Sequence, residues 1–270
     1  MVRLLKKSVN IQKYEHKNKM KIIETNFTVD GFTLKGTLHL PQCPMPPLVV
    51  GSHGLEGSRN SAKQMLLSKV LPANDVAFFR FDHRGCGDSQ GNFIRDTTLE
   101  KRARDFCAAA RHVLEMEVTS NRIALFGSSM GGATCIKAWQ DLEHAGLRIQ
   151  GAVLCASPVN TRTIKRIPQA GNDKRPALSL DFFQENLLYD LSDQTKALHH
   201  VMIFHGNADE VVPVENAETL YAAVQPPKEM ILHDGGDHQM TNRAHQQDFE
   251  QKMIAWYKSV FMQSGTICPQ

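Results

Sequence analysis

Between Ile22 and Leu40 apolar and polar residues alternate in two runs, one ending Phe27-Thr28-Val29 and the next beginning Phe32-Thr33-Leu34. Period-two alternation marks a half-buried strand, and Asp30-Gly31 between the runs is a strong two-residue turn signal. An antiparallel hairpin is therefore expected at the head of the domain. Pro41, Pro44, Pro46 and Pro47 then make a stiff connection that cannot be helix. Beyond them the pattern changes to short unbroken apolar runs: Leu48 to Val50, Val76 to Phe81, Ile123 to Phe126, Gly151 to Cys155, Val201 to Phe204 and Met230 to Leu232. Each reads as a strand, and the first three have the length of strands buried on both faces.

Helical spacing fills the gaps, from Ser61 to Leu71, from Leu99 through Phe106 to Leu114, from Ala133 to Trp139, from Ala217 to Val224 and from Phe249 to Val260. Thr97 and Glu100 match a capping box at the second of these helices. Strands alternating with helices predict an α/β, doubly wound and mostly parallel sheet whose functional loops gather at the carboxyl ends of the strands. About forty residues, 160–200, separate two consecutive strands, more than a crossover needs. This segment is the expected small cap, with Leu180, Phe183, Leu187 and Leu191 at helical spacing and Arg162, Lys165, Arg166, Lys174 and Arg175 making its first half basic. Those apolar residues read equally well as a plain crossover helix or as one wall of a substrate pocket.

At 270 residues and 41% hydrophobic, the chain has ample material for one core. Residues 22–263 are assigned to a single domain and 1–21 to a basic N-terminal extension. That extension carries Arg3, Lys6, Lys7, Lys13, Lys17, Lys19 and Lys21 against Glu15, a balance of +6 that leaves about −3 on the rest of the chain. It has little apolar periodicity, reads as a loosely docked leader, and gives little support to nucleic-acid or membrane binding. No apolar run is long enough to span a bilayer and no signal-peptide core stands at the start, so a cytoplasmic location is expected. The six cysteines show no Cys-x-x-Cys pairing and read as small core residues rather than a disulfide framework.

The chemistry centres on Gly127-Ser128-Ser129-Met130-Gly131, where a buried strand passes directly into a helix. Such a turn puts Ser129 in a strained backbone conformation at its apex and exposes the hydroxyl, while glycines let strand and helix approach. A serine hydroxyl is a weak nucleophile, so it needs a base within reach and a third group to orient that base. On a sheet of this kind the order is serine, acid, histidine, each at the end of a later strand. Asp209 stands at the acid's place, with Glu210 beside it as an alternative. His238 lies in the short loop between the last strand and last helix, whereas His233 is nearer the strand end and less suitably placed. A metal site from His233, Asp234, Asp237 and His238 has no familiar ligand spacing, and no metal is expected. The glycine-rich loop Gly51-Ser52-His53-Gly54-Leu55-Glu56-Gly57 follows the first buried strand, where a second oxyanion donor belongs. The amides of Leu55 and Met130 are the candidates. His53 is expected to shape this loop, and the turn Asp82 to Ser89, which lacks P-loop spacing, to serve as scaffold.

Together, His53-Gly54-x-x-Gly57-Ser58-Arg59, Phe81-Asp82-x-x-Gly85-x-Gly87-Asp88-Ser89-x-Gly91-x-Phe93, Gly127-x-Ser129-Met130-Gly131-Gly132, His205-Gly206-x-x-Asp209-Glu210-Val211-Val212-Pro213 and Asp237-His238 resemble the α/β-hydrolase superfamily. The likeness runs from about Ile22 to Phe261 and is strongest to the bacterial serine-esterase and serine-aminopeptidase-like branch, which includes cinnamoyl (feruloyl) esterases. The resemblance implies the α/β-hydrolase fold, Ser129 as nucleophile, Asp209 as acid, His238 as base, Leu55 and Met130 as oxyanion donors, and no cofactor. The expected activity is hydrolysis of small-molecule carboxylic esters, with a homodimer left open. The alternatives are an acyl-CoA thioesterase, a small-peptide serine peptidase, or a ligand-binding module on the same fold.

Overall fold

The computed structural model describes residues 20–165 and 177–262, together with the backbone of Lys13–Tyr14. Three strands open it, β1 (Lys13–Tyr14), β2 (Lys21–Val29) and β3 (Phe32–Leu40). β2 and β3 pair antiparallel from Lys21 opposite Leu40 to Val29 opposite Phe32. Asp30 (φ +48°) and Gly31 (φ +81°) close the hairpin, both in the left-handed region that such a turn requires. Then follow β4 (Leu48–Ser52), α1 (Ala62–Val70), β5 (Ala77–Phe81), α2 (Phe93–Asp96), α3 (Leu99–Glu115), β6 (Arg122–Ser128), α4 (Met130–His144), β7 (Arg148–Cys155), α5 (Leu180–Asn186), β8 (His199–Gly206), α6 (Glu215–Ala223), β9 (Gln225–His233) and α7 (Arg243–Met262).

The strands form one sheet in the order β1-β2-β3-β5-β4-β6-β7-β8-β9. β1, β2 and β3 run antiparallel to their neighbours, and every pair from β5 to β9 is parallel. Alternation within the buried strands assigns the two faces. Leu48 and Val50 of β4 and Leu125 of β6 share an apolar cluster with Phe106 of α3 and Trp139 of α4. Val49, Phe78 and Phe126 pack instead with Leu67 of α1 and Phe249 and Trp256 of α7. A sheet clothed on both sides explains why its central strands read as continuous apolar runs. The chain reverses its direction of travel across the sheet after β5, so the loops following β4 and β6 open a crevice at the strands' carboxyl ends.

The α/β-hydrolase fold is thus present, with some local corrections. Thr98, not Thr97, caps α3: its hydroxyl accepts the Lys101 amide at 3.1 Å, because Thr97 is occupied ending α2, its amide bonded to the Phe93 carbonyl. β9 begins at Gln225, five residues before the apolar run. Pro226 and Pro227 obscured it, yet β9 is the edge strand, where proline costs little. Lys13–Tyr14 pairs with Ile22 and Ile23 of β2, and Lys21 of the leader begins β2; residues 1–12 and 15–19, Arg166, Lys174 and Arg175 of the cap, and 263–270 lie outside the described residues. Cys86, Cys107, Cys135 and Cys155 are free and buried, as expected of core residues, whereas Cys43 is disulfide-bonded.

Candidate active site

Ser129 occupies the apex between β6 and α4 with φ +55° and ψ −128°, a conformation that is strained for any residue with a side chain and is held by its surroundings. Its amide donates to the Cys155 carbonyl of β7 at 2.8 Å. Gly127 is required because a Cβ there would stand 2.5 Å from the Gly131 carbonyl oxygen and the Gly132 Cα. The strand and the first turn of α4 are therefore in backbone contact, and the serine side chain is driven outward.

The loops after β8 and β9 are joined backbone to backbone. The Asn207 amide donates to the His233 carbonyl and the Ala208 amide to the Gly236 carbonyl, each at 3.1 Å. The Asn207 side chain ties the same loops, accepting the Gly235 amide at 2.8 Å and donating to Asp234 at 2.9 Å. This seam sets Asp209 beside His238. His238 Nδ1 lies 2.8 Å from Asp209 Oδ2, and His238 Nε2 lies 3.1 Å from Ser129 Oγ. An ionised carboxylate only accepts, which assigns the imidazole proton to Nδ1 and leaves Nε2 to accept from the serine hydroxyl.

Asp209 is 4% exposed. Burial pushes its carboxyl up, but the His238 hydrogen bond and charge and the amides of Val212 and Val211 outweigh burial, holding the group below the ordinary aspartate value. Buried His205 donates from Nε2 to the Val212 carbonyl at 2.9 Å and lies 3.4 Å from Asp209 Oδ2, the same oxygen that His238 contacts. Burial keeps that ring's pKa below the ordinary histidine value.

The open choices at the sequence level resolve geometrically. Glu210 does not reach the His238 ring; its carboxylate accepts the His238 backbone amide at 3.1 Å. His233 turns away, bonded to Asp248 at 3.0 Å and stacked on His245 with ring centres 4.5 Å apart. Asp234 and Asp237 hold Asn207 and Thr241, so the four side chains of the conceivable metal set serve separate partners.

Leu55 follows β4, and Met130 is the first residue of α4. Among the described residues neither amide donates to a protein acceptor, and both residues line the cavity that contains Ser129 and His238. Gly54 lies against the serine: a Cβ there would be 3.4 Å from Ser129 Cβ. His53 shapes this loop as expected, donating from Nδ1 to the Gly54 carbonyl at 2.7 Å while Nε2 accepts the His83 amide at 3.3 Å. Burial first, then the charge of Arg102, drives its pKa well down, so the ring is neutral.

The cavity measures about 840 Å³, within the range of small-molecule sites. Its apolar wall is Ile164, Phe183, Leu187, Tyr189, Val211 and Val212. The cap segment thus furnishes both a crossover helix and a lining. Ile164, Tyr189 and Lys63, which also line the cavity, carry no motif and were not legible as site residues. Glu210 was read only as a substitute acid; the adjacent acids Asp209-Glu210 were its one signal.

A mostly parallel sheet with a serine elbow after β6, an acid after β8 and a histidine after β9 defines an α/β-hydrolase. Residues 45–180 match the family model described as serine aminopeptidase, S33, and the chain belongs to that hydrolase family. It is 28% identical over 192 residues to the uncharacterized protein YfhR of Escherichia coli K12, a match covering 70% of this chain and 62% of that protein. It is 24% identical over 216 residues to the mitochondrial palmitoyl-protein thioesterase ABHD10 of Mus musculus, covering 73% of this chain and 71% of the relative. Among solved structures, Est1E of Butyrivibrio proteoclasticus with bound ferulic acid superposes with a TM-score of 0.72 at 19% identity, over 87% of this chain and 99% of that one. That likeness is one of fold.

Proposed function

We propose that the protein is a serine hydrolase that cleaves carboxylic esters through an acyl-enzyme. The observation that carries this reading is the single imidazole of His238 bridging Ser129 Oγ and the buried Asp209 carboxylate at 3.1 and 2.8 Å, on the wall of a cavity large enough for a small ester.

Ser129 Oγ attacks the ester carbonyl carbon as its proton passes to His238 Nε2. Asp209 holds the imidazolium through Nδ1, and the amides of Leu55 and Met130 receive the oxyanion, the latter aided by the positive end of α4. Collapse of the tetrahedral intermediate breaks the bond to the alkoxy oxygen, and the Nε2 proton leaves with the alcohol. Water then gives a proton to Nε2 and attacks the acyl-enzyme, releasing the acid and restoring Ser129. The apolar wall of Ile164, Phe183, Leu187 and Tyr189 is suited to an aliphatic or aromatic acyl group, including a cinnamoyl group. A thioester substrate is the second reading, favoured by the named activity of the ABHD10 relative.

The test is hydrolysis of p-nitrophenyl esters from acetate to long chain, alongside methyl ferulate, an acyl-CoA and an aminoacyl anilide, by wild type and S129A. Ester turnover lost in S129A is the expected result. Preference for the acyl-CoA would move the assignment to a thioesterase and preference for the anilide to a peptidase. Folded wild type inert on all substrates, with Ser129 unreactive to a fluorophosphonate, would identify a binding module instead.

A further inference from the structure

Arg102, on α3, is 1% exposed, yet among the described residues it is not held by an ion pair. The acid one turn along its own helix, Asp105, is spoken for: Oδ1 accepts from Arg84 Nε at 2.8 Å and Nη2 at 2.6 Å, and Oδ2 accepts the Arg84 amide at 3.0 Å. Among the described residues, Arg102 Nε and Nη1 find no acceptor, and Nη2 donates to the backbone carbonyl of His53. Burying a guanidinium with so few partners carries a large desolvation cost. A side chain selected for stability alone would be apolar here.

The bond it makes lies at the root of the oxyanion loop. The His53 carbonyl is wedged from the other side by the start of α4, since a Cβ on Gly131 would stand 2.8 Å from its oxygen. With its backbone fixed in this way, His53 sends Nδ1–H to the Gly54 carbonyl. That carbonyl belongs to the same peptide unit as the Leu55 N–H, and in a trans peptide the two point in opposite directions. Pinning the Gly54 oxygen therefore aims the Leu55 amide.

We infer that Arg102 is a positioning residue for the reaction: through His53 it holds the Gly54-Leu55 peptide against Ser129, without touching substrate. This inference rests on the serine-hydrolase reading. It distinguishes Arg102 from Arg84, whose bonds to Asp105 and Asp30 tie α3 to the hairpin turn and bypass the loop.

The experiment compares wild type, R102M and R102K in the full chain. It reads the second-order rate of fluorophosphonate labelling at Ser129, kcat and KM on the best ester substrate, and thermal unfolding. Losing one oxyanion donor outright typically costs 10²–10³ in rate, so a misaimed donor is expected to cost about 10- to 100-fold. R102M should lose that factor in both labelling rate and kcat, with KM within about twofold of wild type. R102K, which keeps the charge but not the forked donor, should lose less in the same direction. If R102M does not fold, R102K decides: a loss of about threefold or more in both rates at unchanged KM supports the inference, and wild-type rates overturn it. Wild type that labels at Ser129 while R102M labels equally fast overturns this inference alone, as does a loss confined to KM. Wild type that does not label at Ser129 overturns the serine-hydrolase reading and this inference with it.

Discussion

The backbone amide of His238 donates to Glu210 at 3.1 Å while its ring is held by Asp209 at 2.8 Å. Adjacent acids on the β8 loop thus grip the same histidine at two points, one fixing where the ring points and the other where its main chain sits. Replacing Glu210 by Ala removes the second grip, a hydrogen bond worth about 1 kcal/mol. The expected result is a fall in kcat of roughly fivefold, and E210Q, which keeps an acceptor oxygen, should stay within about twofold of wild type. Steady-state kinetics on one ester check this, and equal values for E210A and wild type would exclude the role.

On the proposed mechanism Asp209 sets the ring tautomer, so D209N should fold normally and lose about 10⁴ in kcat. S128A should change kcat by no more than a few-fold, since Ser128 ends β6 and has no bond to His238. Equal losses for S128A and S129A would contradict the assignment of the nucleophile.

Much of this site could be read from sequence because each feature is local. Gly127-x-Ser129-x-Gly131 specifies its own turn, and Asp209 and His238 each follow a recognisable apolar run within a few residues. What escaped depends on contacts between distant parts of the chain. Arg102 looks like one more polar position on an amphipathic helix, and only the packing of α3 beneath the β4 loop gives it a target. The start of β9 escaped for another reason: prolines argue against a strand until the sheet order shows it to be at an edge.

Acid should destabilise the fold from just below neutral pH. Burial, and then the charge of Arg80, holds His39 down at about 3, and its Nε2 accepts from Arg80 Nε at 2.9 Å. His53 and His83 are likewise driven well below 6.5, chiefly by burial. The unfolded chain takes up these protons first, near pH 6.5. Their contribution is therefore full above that pH and is lost as pH falls toward the folded-state values. H39Q keeps an acceptor for Arg80 but cannot titrate, so its Tm should fall less than that of wild type between pH 7 and pH 4.5, by the equivalent of ~1–3 kcal/mol. Parallel Tm curves would refute the linkage.

Gly132 abuts Ser157: a Cβ would overlap the serine hydroxyl oxygen and come 2.5 Å from its Cβ, but stay 3.4 Å from its Cα. G132A alone should therefore destabilise by about 1–3 kcal/mol through overpacking. Adding S157G should restore part of the loss. Chemical denaturation of the single and double variants measures this, and strictly additive losses would show that the two positions do not collide.

The hydrogen-bonded Ser129-His238-Asp209 set and the apolar wall come from separable pieces of the chain. Ser129, Asp209, His238 and the Leu55 loop hang from the ends of β6, β8, β9 and β4, whereas Ile164, Phe183, Leu187 and Tyr189 arrive on one excursion between β7 and β8. On the proposed reading, exchanging that excursion would alter which substrate group fits the cavity while leaving the Ser129-His238-Asp209 hydrogen-bond chain intact. Diversification of substrate then requires changes in one contiguous stretch of gene rather than coordinated changes across the sheet.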